Sequence, residues 1–172
     1  MMPRASNQLL LPVNPWFLWL SLFVALALNL LPLGRVPAMP DLMAVVLVFW
    51  TVHQPRRVGV GIAFVFGLAM DVHQGALLGQ HALAYTLLSF FAIALHRRLP
   101  WFTAAAQALH VLPVFVLGRV VTLLVRLATG DPFPGWSLFI APLLETLLWP
   151  VVTVILLAPQ RRAPDRDANR PL

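Results

Sequence analysis

The stretch Gly67-Leu-Ala-Met-Asp71-Val-His-Gln-Gly75-Ala-Leu-Leu-Gly79 sets one aspartate and three glycines at steps of four, closing an otherwise apolar run. Four helical positions leave a drift of only about 40°, so all four residues share one face if the helix runs through. A carboxylate near bilayer depth is costly, and glycines let a second backbone approach closely. That face is expected to pack or bind rather than meet lipid, which marks a specific membrane module and not a generic anchor.

The composition agrees. With 172 residues, 60% hydrophobic and 10% charged, the chain is too apolar for an ordinary soluble domain, and its length suits one domain. It has no cysteine, so disulfides and thiolate metal sites are ruled out. The net charge of +6 comes with twelve basic residues, all of them arginine. They sit between apolar runs, where orientation in a membrane accounts for them better than nucleic acid does. The first apolar run is too long for a signal-peptide core and lacks a small-residue cleavage pattern, so it is expected to stay in the mature protein.

Six apolar segments can be counted: 16–33, 39–52, 58–70, 76–95, 102–127 and 136–157. Crossing a hydrocarbon layer takes about 20 helical residues, which the first, fourth, fifth and sixth supply. The second and third would reach only about 20 Å each, as a hairpin dipping into the bilayer or as two short spans inside a bundle. The arginines favour spans. With the N-terminus in the cytoplasm, Arg4, Arg56, Arg57, Arg97, Arg98, Arg161, Arg162, Arg166 and Arg170 fall inside, and only Arg35 falls in an outer loop. The positive-inside rule then places both termini in the cytoplasm, whereas a hairpin would strand Arg56 and Arg57 in or across the membrane. The expected organisation is a cytoplasmic segment 1–15, a transmembrane domain 16–158 and a disordered cytoplasmic tail 159–172. The fold class is an all-α compact bundle of six transmembrane helices.

Asp71 could make a polar contact to a partner helix or a buried arginine, or cap the helix that follows by accepting from its first amides. The two readings are compatible. Gly67 is best explained by close helix packing, while Gly75 and Gly79 could also break the chain. His73 and His81 lack the spacing of a metal pair and no third histidine lies near, so no metal and no cofactor are expected. Pro40 and Asp41 suit the outer start of the second helix, where a proline and an acid are favoured. Trp16, Trp19, Trp50, Trp101, Trp136 and Trp149 mostly lie near segment ends and read as interfacial anchors.

Arg119 lies eight residues before Leu127, and Glu145 nine residues after Trp136. In antiparallel helices both then sit about 12–13 Å below the outer ends. An isolated charge there costs at least about 2.5–3.5 kcal/mol, so the two are expected to pair; Arg126 can snorkel to the surface. No nucleophile elbow, P-loop, zinc-protease motif or paired carboxylate cluster appears, so nothing asks for an enzyme.

Pro40-Asp41, Phe49-Trp50, Gln54-Pro-Arg-Arg-Val-Gly-Val-Gly61, Phe66-Gly-Leu-Ala-Met-Asp71-Val-His-Gln-Gly-Ala-Leu-Leu-Gly79, Ala82-Leu-Ala-Tyr85 and Leu148-Trp149-Pro150 together resemble the bacterial rod shape-determining MreD family, over residues 16–157. Arg119 and Glu145 depart from the neutral or other polar groups found there in helices five and six. The resemblance implies a noncatalytic inner-membrane scaffold of the cell-elongation complex. Its partners would be MreC, and through it MreB filaments, the peptidoglycan synthase and its lipid-linked precursor polymerase. It also implies a six-helix fold similar to the substrate-binding subunits of vitamin transporters, and it draws Pro40 and Asp41 into the partner-binding or packing set with Gly67, Asp71, Gly75 and Gly79. The competing reading is a substrate-capture subunit or small transporter with a polar site within the bundle.

Overall fold

Helix boundaries fall where capping residues sit. In the computed structural model, which describes residues 13–31 and 38–160, Asn14 caps α1 (Pro15–Leu30), accepting from the Trp16 amide at 3.0 Å. Asp41 caps α2 (Leu42–His53), accepting from the Ala44 amide at 2.9 Å. Thr103 caps α5 (Ala104–Ala128) by accepting from the Ala106 amide. Each of these side chains takes up one of the amides that a helix start leaves unpaired. Between them lie α3 (Val60–Gln74) and α4 (Gln80–Leu95), and α6 (Ile140–Leu157) follows α5 through a 3-10 turn at Trp136–Phe139. Among the described residues there are six α-helices and no strand.

The shortest helix is the central one. Nine of the twelve α2 residues are buried, because α2 packs against α1, α4 and α6 at once. A helix that is apolar all round belongs inside a bundle. Its length of about 18 Å needs no lipid-facing surface. Beyond these contacts α3 packs on α4, α4 on α5, and α5 on α6. Their outward faces carry Leu20, Phe23, Val65, Phe90, Leu109, Leu147 and Ile155, all exposed. Two helical stretches, Ala104–Ala128 and Trp136–Gln160, are long and apolar enough to cross a membrane, while α1 to α4 are shorter apolar helices.

The ion pairs and hydrogen bonds between helices define two ends. At one end α1, α3 and α5 stop and α2, α4 and α6 start; at the other lie the α2–α3 and α4–α5 links. All four carboxylates of the described residues, Asp41, Asp71, Asp131 and Glu145, are at the first end. Arg4, Arg35 and the arginines of the tail lie outside the described residues, as does nearly all of the segment expected at 1–15.

Two expectations are corrected by the fold. Helix α3 does not continue through the glycines: it ends at Gln74, with Gly75 in the left-handed region at φ 58°, a conformation that spares glycine the Cβ clash. Gly79 is left-handed too, at φ 104°, just before α4. Only Gly67 and Asp71 therefore share a helical face. The tryptophans also divide. Trp16, Trp101 and Trp136 are exposed, but Trp50 and Trp149 are fully buried. Their indole N–H groups donate to Ser21 Oγ at 2.7 Å and Gln107 Oε1 at 3.2 Å, so they are core anchors with a satisfied polar tip.

Candidate functional site

Five helices meet around the capping residue of α2. Asp41 Oδ1 accepts from the Ala44 amide and from Asn29 Nδ2 of α1 at 2.6 Å. Asn29 Oδ1 accepts in return from the Leu42 amide at 3.1 Å. Asp41 Oδ2 accepts from the Tyr85 hydroxyl of α4 at 2.6 Å. The backbone amide of Asp41 donates to Glu145 Oε1 of α6 at 3.0 Å. Arg119 of α5 completes the cluster, donating through Nη2 to Glu145 Oε1 at 2.6 Å and to the Met39 carbonyl at 3.0 Å. We call this the clasp.

Its electrostatics balance locally. Arg119 pairs with Glu145, and the second carboxylate, Asp41, sits on the positive end of the α2 dipole, where an anion is favoured. Charged partners make its hydrogen bonds roughly twice as strong as neutral ones. Glu145 is 1% exposed, so removing Arg119 would strand a buried charge. Beside the clasp a small cleft between α4 and α5 is lined by Tyr85, Arg119, Thr122, Glu145 and His81. The clasp thus ties α2 to α1, α4, α5 and α6 and leaves little room for a ligand. The sequence reading does not single out Asn29, and it includes Tyr85 only among the residues of the family resemblance. Both had a signal: Asn29 is an amide inside an apolar run, and Tyr85 is the single tyrosine of the chain.

Asp71 forms a second, separate arrangement. Fully buried in the last turn of α3, it accepts from the Gly79 amide at 2.8 Å and the His81 amide at 2.7 Å. It also accepts from the Ala82 amide at 3.3 Å, and its Oδ1 lies 2.8 Å from His81 Nδ1. One carboxylate thus caps the start of α4 and fixes the turn before it. Gly67, one turn earlier, lets α4 approach: a Cβ there would lie 2.3 Å from Ala82 Cα and 2.7 Å from the His81 carbonyl oxygen. Gly67 and Asp71 both face α4. Gly75 is exposed, as are Val72, Leu77 and Leu78 around it. Pro40 immediately precedes the Asp41 cap rather than opening the helix. Among the described residues no group of three or more His, Cys, Asp or Glu could hold a metal ion.

Polar satisfaction is nearly complete. Thr86 Oγ1 is the one buried side-chain polar atom without a partner among the described residues.

With this geometry in view, comparison with known proteins is specific. The family model of rod shape-determining protein MreD matches residues 12–158. The rod shape-determining protein MreD of Haemophilus influenzae is 33% identical over 149 residues, spanning 82% of this chain and 89% of the relative. No solved structure matches.

Proposed function

The chain belongs to the MreD family, and we propose that it is a noncatalytic scaffold of the bacterial inner membrane that maintains rod shape. It binds MreC and couples MreB filaments to the peptidoglycan synthase and its lipid-linked precursor polymerase. The family match over residues 12–158 carries this reading. Three features support it: an apolar perimeter, a polar interior satisfied by its own residues, and six helices with short links. The same features support six spans with both termini in the cytoplasm, because the arginine-bearing links then face the side the positive-inside rule requires. Within the 67–79 segment, Gly67 and Asp71 serve the α3–α4 contact. The exposed turn carrying Val72, Gly75, Leu77 and Leu78 is the portion open to a partner helix.

Depletion in a rod-forming host is the test. Cells should round up, and the wild-type chain should restore rods and co-purify MreC. A Leu77→Asn/Leu78→Asn variant that accumulates normally should do neither. Rods that persist after depletion would refute the scaffold reading, and a variant with wild-type MreC recovery would remove this turn from the interface.

A further inference from the structure

Every described arginine at the clasp end is paired, and none at the opposite end is. Arg119 meets Glu145 at 2.6 Å and Arg126 meets Asp131 at 3.2 Å. Arg56 and Arg57 in the α2–α3 link, and Arg97 and Arg98 in the α4–α5 link, are all exposed. Among the described residues no carboxylate comes within ion-pair distance of them. The two links are neighbours, because α2 and α4 pack together and run the same way: Asp41 meets Tyr85 near their starts and Thr51 meets Ser89 further along. Arg57 also reaches the start of α1, donating to the Val13 carbonyl. At the same end Trp101, 88% exposed, and Phe102 follow Arg98 in the chain, and Trp16, 83% exposed, stands in the first turn of α1.

We propose that this end is a docking platform for anionic phospholipid headgroups. Four guanidinium groups with no carboxylate partner among the described residues call for a polyanion, and arginine matches phosphate oxygens with a two-pronged donor fork. The exposed indole rings decide which polyanion. Tryptophan beside a charged rim fits the boundary between acyl chains and headgroups, whereas an acidic protein face would leave three large aromatic rings in water. The proposal rests on the membrane reading of the chain but not on its orientation or its partner proteins.

The full-length protein in neutral detergent micelles, given equal amounts of phosphatidylglycerol and phosphatidylcholine with matched acyl chains, tests this by native mass spectrometry. One arginine near an anionic surface is worth about fivefold in affinity, so phosphatidylglycerol should be retained at least about fivefold over phosphatidylcholine. Arg56→Gln/Arg57→Gln/Arg97→Gln/Arg98→Gln should abolish the preference, and Arg126→Gln, at the far end, should keep it. Should the quadruple variant not fold, the two double variants should each lower it part-way. Equal retention by the wild type, or full preference in both double variants, would overturn the proposal. So would displacement of the lipid by inorganic phosphate, or binding of a polyglutamate peptide without lipid discrimination. Micelles have no sides, so these outcomes are independent of topology and of rod-shape rescue.

Discussion

Replacing Gly67 with alanine tests the close approach of α3 and α4. The added Cβ would stand 2.3 Å from Ala82 Cα, 2.6 Å from Ala82 N and 2.7 Å from the His81 carbonyl oxygen, where ordinary contact begins near 3.4 Å. All three atoms are backbone, so no side chain can rotate away, and α4 must retreat by about an ångström. Overpacking of this kind costs about 1–3 kcal/mol. The retreat also lengthens the bonds from Asp71 to the Gly79 and His81 amides, now 2.8 and 2.7 Å. A cap is worth about 0.5–2 kcal/mol, so the combined loss is about 2–4 kcal/mol. Alanine's better helix propensity returns up to about 1 kcal/mol, and Gly61→Ala reports that gain alone, since a Cβ at Gly61 meets nothing within 4 Å. The assay is the apparent melting temperature of detergent-solubilised protein, read by size exclusion after heating. At about 2–4 °C per kcal/mol for a chain of this size, Gly67→Ala should melt about 5–15 °C below Gly61→Ala. Equal melting of the two variants would refute the close approach of α3 and α4.

Arg119→Gln and Glu145→Gln should each destabilise by about 3–5 kcal/mol by leaving a buried charge unpaired, and the double variant should lose less than the sum; additive melting shifts would show that the two do not interact. Asp71→Ala removes the acceptor shared by the Gly79, His81 and Ala82 amides, so hydrogen exchange at residues 79–82 should speed while the centre of α2 stays protected; unchanged exchange there would refute the capping role. Cysteines placed at His53 and at Gly130 should react with an impermeant thiol reagent from opposite faces of the membrane in spheroplasts, and labelling of both from outside would refute six spans.

Much of the architecture is written locally along the chain. Apolar runs, a Pro40-Asp41 helix start, the arginines of the links and the turn chemistry of the loops are properties of neighbouring residues, and they suffice for an all-helical member of this family with helices apolar enough to suit a membrane. Even the partnership of Arg119 with Glu145 follows from depth, because helical rise converts residue count into distance. Other features depend on where remote segments meet. Periodicity alone allows the Asp71 face to run through to Gly79, and the sequence leaves open whether Gly75 packs or ends the helix. The choice is made by the return of α4 against α3, which puts three amides within reach of one carboxylate. Trp50 and Trp149 read with the other tryptophans as interfacial anchors, yet the packing of α2 against α6 buries both. That packing, and the clasp that gathers Asn29, Asp41, Tyr85, Arg119 and Glu145 from five helices, arise from contacts separated by 12 to 104 residues. An all-round apolar run such as α2 suits a bundle centre or lipid alike, and its packing against α1, α4 and α6 decides that it sits in the middle.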